Sequence, residues 1–249
     1  MSMTISHQPK YSESIHKFQA RELNRRLYKF ITGRDSIPSD RCYLTLANEQ
    51  NNSPTSEINQ LVYAGLLLPE QFVGIDFDKD FIKKNKKNHP LATFKHGDWN
   101  VFMSKREFNP AFVYLDSTHF GDKLPALKTL KNTLASCKNE TLVVCNVMET
   151  NPRSGQGDIP IDTTILIENL LWSEIPSAYK EWNKEVKNPD PEFTENSLIY
   201  IPAYRYKTSK TLMKSYVFFK GVIPKEAEFI TFFRDFDKWC EKFERKFCL

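Results

Sequence analysis

The chain has 249 residues, of which 40% are hydrophobic, 13% aromatic and 27% charged. This composition is typical of a folded globular protein and excludes an intrinsically disordered chain, and the length suits one domain with appendages. The formal net charge of +4 permits a nucleic-acid partner but does not require one.

Residues 12–32 are predicted to form a helix, because their apolar side chains recur on one face and Gly33 supplies a stop signal. Four basic residues lie four positions apart along this helix and form one stripe: Lys17, Arg21, Arg25 and Lys29. Such a stripe neutralises phosphates in some nucleic-acid-binding proteins. A solvated basic face is the more common explanation of the same pattern.

The middle of the chain alternates between strands and helices. Strands are predicted at 42–47, 71–76, 92–98, 111–116 and 141–148. Helices are predicted after Ser53, which is the expected N-cap, in the segment DKDFIKKNKKN and at 124–137. Repeated strand–helix–strand units give a parallel sheet covered by helices.

The pattern changes after about residue 195. The stretches SLIYIPAYRYKTS and TLMKSYVFFKG are too close together for a crossover helix, so they should pair antiparallel at the sheet edge. The predicted fold class is α/β, a doubly wound, mostly parallel sheet with an antiparallel closing hairpin and helices on both faces. The predicted divisions are a basic helical extension (1–39), the main domain (40–223) and an amphipathic C-terminal helix packed on it (224–249).

The five cysteines are scattered and form no C-x-x-C pair, which indicates neither a disulfide framework nor a zinc site. The first residues are polar and lack the apolar core of a signal peptide. No stretch approaches the roughly 18 consecutive apolar residues of a membrane span. We therefore expect a cytoplasmic protein with no metal site.

Three successive strands are predicted to end on an aspartate: Asp76, Asp98 and Asp116. Ligands of doubly wound sheets bind outside the carboxyl ends of the strands. There Asp76 can accept hydrogen bonds from ribose hydroxyls, and Asp98 can accept a hydrogen bond from an exocyclic amine. The neighbouring Phe77 and Trp99 offer flat aromatic surfaces for the base. Helix N-capping explains any one of these acids equally well. Three at equivalent positions favour a nucleoside pocket.

These segments resemble the motifs of the class I, Rossmann-like S-adenosylmethionine-dependent methyltransferases. FVGIDFDKDFIKKN resembles the second motif, FKHGDW the third and FVYLDSTHF the fourth, within a resemblance that covers 40–221. The resemblance implies S-adenosylmethionine as the cofactor, with Asp76 at its ribose, Asp98 near its adenine and Asp116 beside the methyl acceptor. It also implies that the last strand runs antiparallel to the others.

The chain departs from this family at two motifs. The first loop, LANEQNNSPTSE, has no glycine, although Asn48 tolerates unusual backbone angles and Glu49 is placed to meet the cofactor's ammonium group. The G-x-G-x-x-G of nicotinamide dehydrogenases is also absent. The fourth motif, DSTHF, lacks the Pro-Pro-aromatic turn of the amino-methylating nucleic-acid enzymes.

If methyl transfer occurs, Asp116 is the candidate for orienting the acceptor and His119 for removing its proton, because imidazole titrates near neutrality. A loop histidine with no catalytic task is the more common explanation of His119. Further substrate contacts are predicted at Phe120, Glu149 and Arg153.

The sequence thus predicts an S-adenosylmethionine-dependent methyltransferase that acts on DNA or RNA. Two alternatives stay open: an inactive methyltransferase-like scaffold for a nucleic acid or a protein, and an enzyme that uses another nucleoside-containing ligand. The glycine-free first loop favours the scaffold, whereas the strand-end aspartates favour an enzyme. The pattern indicates neither the methyl acceptor nor an oligomeric state.

Overall fold

The computed structural model describes residues 15–47, 50, 52–54, 56–117, 123–148, 198–208 and 211–221. The helices in these ranges are α1 (Ile15–Thr32), α2 (Glu57–Tyr63), α3 (Lys79–Asn88), α4 (Trp99–Lys105) and α5 (Lys123–Ser136). The strands are β1 (Cys42–Leu46), β2 (Phe72–Asp76), β3 (Thr93–His96), β4 (Pro110–Ser117), β5 (Thr141–Met148), β6 (Leu198–Thr208) and β7 (Thr211–Lys220). A 3-10 turn, Pro69–Gln71, precedes β2.

The seven strands form one sheet in the order β3-β2-β1-β4-β5-β7-β6. Strands β1 to β5 pair in parallel, and β7 runs antiparallel to both β5 and β6. The strand order reverses direction between β1 and β4, so the crevice expected in a doubly wound sheet lies outside their carboxyl ends. The predicted fold class is confirmed, including the antiparallel closing hairpin.

Successive residues of each strand belong alternately to two apolar clusters, one on each face of the sheet. One cluster joins α1, α2 and α3 to strand residues such as Tyr43 and Phe112. The other joins α4 and α5 to strand residues such as Leu44 and Val113. This alternation is what a strand period of two requires when both faces are covered.

Two helix starts differ from their predictions. The second helix begins at Glu57 with Ser56 as its N-cap, so the prediction of Ser53 as the cap is wrong. The Ser53 carbonyl instead accepts a turn hydrogen bond from the Ser56 N–H at 3.0 Å. Helix α4 has no counterpart among the predicted elements. Its N-cap is Asp98, whose side chain accepts a hydrogen bond from the Asn100 N–H at 2.7 Å.

Gly74 marks a close approach inside the sheet. A Cβ atom at this position of β2 would lie 2.6 Å from the Cβ of Ala47 and 2.9 Å from the ring of Phe94. Neither contact leaves room for a methyl group, so glycine is required by packing rather than by an unusual backbone angle. Gly74 therefore lets β2, β3 and the end of β1 come together at the carboxyl edge.

The predicted C-terminal helix lies outside the described residues. Within the described ranges, no helix combines the length and the apolar character needed to cross a membrane. In the same part of the chain, no group of three or more His, Cys, Asp or Glu side chains is arranged to hold a metal ion.

Candidate functional site

At the carboxyl edge of the sheet, Asp76 and Asp116 lie on either side of Ala47. Leu46 pairs with Ile75 in β2, and Thr45 pairs with Tyr114 in β4. Extending these registers places Asp76 and Asp116 on opposite flanks of Ala47, about 10 Å apart across two strand spacings. By strand alternation, both acids belong to the face covered by α1, α2 and α3.

Asp76 is a half-buried carboxylate with capacity for a ligand. Its Oδ1 accepts a hydrogen bond from the Asp78 N–H at 2.8 Å, which leaves further lone pairs on the carboxylate. Burial raises the pKa of Asp76, while the backbone hydrogen bond from Asp78 lowers it. The neighbouring Phe77 is 69% exposed, so an apolar ring lies at the surface directly beside the acid.

Asp98 and Trp99 do not form the pair predicted from the sequence. Asp98 is partly exposed and caps α4, and its carboxylate is available at the same edge. Trp99 is buried among the apolar residues of the opposite face, and its indole N–H donates to Thr133 Oγ1 at 2.9 Å. The prediction of Trp99 as a flat surface for a ligand is wrong, because the indole completes the contact between α4 and α5.

The basic stripe of α1 is divided between the interior and the surface. Lys17 and Arg21 are only 1% and 4% exposed, so the prediction that they contact a nucleic acid is wrong. Arg25 pairs with Glu22 at 2.8 Å on the same helix, and Lys29 pairs with Asp35 at 2.5 Å near the surface. Lys17 and Arg21 instead balance the negative charges of the buried acids Asp116 and Glu57.

Lys17 forms an ion pair with Asp116 that closes the end of β4. Its Nζ lies 2.5 Å from Asp116 Oδ2, and both side chains are almost completely buried. The two residues are 99 positions apart in the chain. Asp116, the predicted acceptor-orienting acid, is therefore held by a cation from α1 rather than open to solvent.

Arg21 belongs to a second buried group next to this pair. Its guanidinium Nη2 lies 3.9 Å from Glu57 Oε2, and the Tyr43 hydroxyl donates to Glu57 Oε1 at 2.6 Å. Burial raises the pKa of Glu57, and the charge of Arg21 opposes that shift. Burial also raises the pKa of Tyr43, and the negative charge of Glu57 raises it further. This group ties α1, α2 and β1 together beneath the crevice.

Solved structures with a similar fold are found at low sequence identity. The O-methyltransferase TomG from Streptomyces achromogenes superposes with a TM-score of 0.50 and 12% identity, over 86% of this chain and 83% of TomG. The chain has the class I methyltransferase fold. A TehB-like SAM-dependent methyltransferase from Corynebacterium glutamicum gives a TM-score of 0.42 at 15% identity, over 86% of this chain and 100% of that protein.

Trm5b from Pyrococcus abyssi is also similar to this methyltransferase fold, with a TM-score of 0.44 and 10% identity over 85% of the chain. The chain spans about half of Trm5b, 51% of its length. No family model matches the sequence, and no curated protein matches it.

The first loop of this methyltransferase fold is anchored without glycine. The Gln50 N–H donates to Asn85 Oδ1 at 2.7 Å, and the Gln50 carbonyl accepts from Asn88 Nδ2 at 2.9 Å. Ala47, at the start of the loop, donates its N–H to the Ile75 carbonyl at 2.9 Å. The described part of the loop is therefore held to α3 by polar side chains and to β2 by a backbone hydrogen bond.

Six predicted site residues lie outside the described part of the methyltransferase fold: Asn48, Glu49, His119, Phe120, Glu149 and Arg153. The structure also reveals polar residues that the sequence analysis did not select. Asn146 of β5 lies opposite Asp116, and Ser215 of β7 lies opposite Asn146. The signal for Asn146 in the sequence is a polar residue inside a mostly apolar strand, whereas Ser215 follows Lys214 and has no such signal.

Proposed function

We propose that the chain is an S-adenosylmethionine-dependent methyltransferase. The observation that carries this proposal is the half-buried Asp76 carboxylate beside exposed Phe77, at the carboxyl edge of a sheet with the class I methyltransferase order. These residues fit the adenosine part of the cofactor, since a carboxylate accepts hydrogen bonds from two ribose hydroxyls and an aromatic ring covers a base. Asp98 provides a second acceptor for the adenine amine.

The cofactor supplies an electrophilic methyl group when it is bound. The contribution of this chain is positioning, because alignment of donor and acceptor can provide most of the acceleration in a transfer of this kind. Asp76 fixes the ribose, and Asp116 lies two strands away to orient the acceptor. We assign His119, two positions after the end of β4 in the sequence, the removal of the acceptor's proton.

A nucleic-acid acceptor is part of the proposal and rests on α3. Helix α3 follows Asp76 in the chain. Five of its lysines are exposed: Lys79, Lys83, Lys84, Lys86 and Lys87. Neutralising phosphates releases counterions, so binding through these lysines should weaken steeply as salt is raised. Replacing three of them with glutamine should reduce that salt dependence if they contact phosphates.

A scaffold without a cofactor is the second candidate, and the first loop favours it. The family's glycines let the backbone pass close to the methionine part of the cofactor, whereas Gln50 and its two asparagine partners hold this loop to α3. In that case the fold would bind a nucleic acid or a protein without catalysis.

Calorimetric titration with S-adenosylhomocysteine distinguishes the two candidates. The wild type should bind at micromolar concentration, and Asp76→Asn should bind at least about tenfold more weakly, because the variant keeps an acceptor for the Asp78 N–H but loses the charge that holds the ribose. Asp80→Asn, an exposed acid in the first turn of α3, is the matched control and should bind like the wild type. No binding by the wild type at millimolar ligand would leave the scaffold as the better candidate.

A further inference from the structure

Helix α1 begins at the carboxyl edge of the sheet and ends at the opposite edge. Near its start, Lys17 lies 2.5 Å from Asp116 at the end of β4. Just beyond its last residue, Arg34 pairs with Glu140, which directly precedes β5, at 2.7 Å. Ligands of doubly wound sheets bind outside the carboxyl ends of the strands. The first turn of α1, residues 15–18, therefore lies at the same edge as the candidate site.

Beyond the first turn, α1 is packed firmly against the sheet. Its apolar side chains recur every three or four residues, and those of Ala20, Leu23, Leu27 and Ile31 are buried. A buried stripe of this kind supplies most of the stability of a helix in a folded protein. In the first turn, the large apolar side chain of Phe18 is exposed instead. The first turn can therefore separate while the rest of α1 stays docked.

The charge in the first turn does not favour the helical state. The turn contains no acidic residue, which would complement the positive end of the helix dipole, and it carries the ammonium group of Lys17 there. The first N–H groups of a helix also lack partners within the helix, and helix ends open at a lower free energy than the core of a protein. The first turn thus depends on contacts with the rest of the protein.

Lys17 and Gln60 hold the first turn in place. Lys17 forms the buried ion pair with Asp116. Gln60 of α2 donates from Nε2 to the Phe18 carbonyl at 2.8 Å, and its Oε1 accepts a hydrogen bond from Arg21 Nη1 at 3.4 Å. The amide of Gln60 consequently ties the first turn of α1 to α2 without contacting the ion pair.

We propose that the first turn of α1 is a cover that must open before a methyl acceptor reaches Asp116. This proposal rests on the proposed function, because it concerns access to the acid that we assign to the acceptor. In the closed state both Lys17 and Asp116 are almost completely buried, so the carboxylate is not accessible. Opening of residues 15–18 withdraws Lys17 and exposes Asp116. An acceptor that binds the open state alone has its apparent affinity lowered by the fraction of molecules that are open.

The exposure of Asp116 can be measured by carbodiimide coupling to glycinamide, followed in peptide mass spectra of the full chain. Gln60→Met keeps the approximate length of the side chain but removes its hydrogen bond to the Phe18 carbonyl. Coupling of Asp116 should be slow in the wild type. It should be about fivefold faster in Gln60→Met, the factor that corresponds to the loss of one hydrogen bond.

Asn59→Leu is the matched control for Gln60→Met. Asn59 is the adjacent residue of α2, and its Nδ2 also donates to a backbone carbonyl, that of Ser53 at 2.9 Å, which does not belong to α1. This variant should leave the coupling of Asp116 unchanged. Labelling of Cys145, which is buried in β5, with iodoacetamide reports opening of the sheet and should stay slow in all three proteins.

Four results would overturn the proposal: fast coupling of Asp116 in the wild type, unchanged coupling in Gln60→Met, equal acceleration in Asn59→Leu, or parallel acceleration at Cys145. Each would show that Asp116 is exposed already or by a route other than opening of the first turn. Binding of S-adenosylhomocysteine is measured separately on the same proteins. Failure of the wild type to bind it would count against the proposed function and not against the cover, because the coupling needs no cofactor.

Discussion

The buried pair of Lys17 and Asp116 allows a direct test of how α1 is held to the sheet. Lys17→Met keeps the length and the apolar stem of the side chain but removes its charge. Asp116 would then be an uncompensated carboxylate in the interior, with Oδ1 already unpartnered. Removing one partner of a buried ion pair typically costs about 3–5 kcal/mol of unfolding free energy, and we expect a loss in this range.

Lys29→Met is a closely matched control for this substitution. Lys29 lies on the same helix and pairs with Asp35 at the same 2.5 Å, but its side chain is 56% exposed and that of Asp35 is 72% exposed, compared with 2% and 3% in the buried pair. An exposed pair contributes only about 0–1 kcal/mol, because water screens both charges. The two variants therefore differ essentially in burial.

The unfolding free energies should be measured by urea titration with tryptophan fluorescence as the signal. The double variant Lys17→Met/Asp116→Leu should recover part of the loss, since it leaves no unpaired charge. Equal losses in Lys17→Met and Lys29→Met would refute the reasoning. A loss below about 1 kcal/mol in Lys17→Met would do so as well, because it would show that Asp116 reaches solvent.

Three further predictions follow from the same structure. Gly74→Ala should cost about 1–3 kcal/mol of unfolding free energy, because the added methyl group overlaps Ala47 and Phe94; a neutral effect in the same urea titration would contradict the close approach. Burial raises the pKa of Cys42 to about 11 and those of Cys137 and Cys145 to about 12, so iodoacetamide at pH 7 should leave all three unlabelled in peptide mass spectra until urea is added. Fast labelling of any of them in the folded protein would show that its thiol is accessible. Burial raises the pKa of Asp76, and protonation removes its charge, so affinity for S-adenosylhomocysteine should fall on acidification at a higher pH than for an ordinary aspartate. The difference between wild type and Asp76→Asn should vanish at low pH, and a constant difference would argue against a role for the carboxylate.

The sheet was predictable because each strand carries a local signal. The apolar run TLVVCNVM coincides with β5, and FVGID coincides with β2, since buried parallel strands read as continuous hydrophobic segments. Helix α4 was missed because seven residues, WNVFMSK, are too short to show a helical period. Its N-cap, Asp98, was instead interpreted as a ligand-binding acid.

The candidate site was less predictable, because charge compensation depends on contacts between distant parts of the chain. A spacing of four residues shows that Lys17, Arg21, Arg25 and Lys29 share a face, but it cannot show which part of that face is buried. Their environments are decided by partners such as Asp116, 99 residues away from Lys17. For the same reason Asn146 and Ser215 became visible as site residues only when the strands were paired.

The position of β7 has a consequence for the chain during its synthesis. β7 is the later of the two hairpin strands, yet it lies between β5 and β6. As the chain leaves the ribosome, the edge of β5 has no partner until residue 220 emerges, although β6 has already appeared. An unpaired, apolar edge attracts other strands. The nascent chain therefore passes through a stage at which premature pairing of β6 with β5, or binding by a chaperone, competes with insertion of β7.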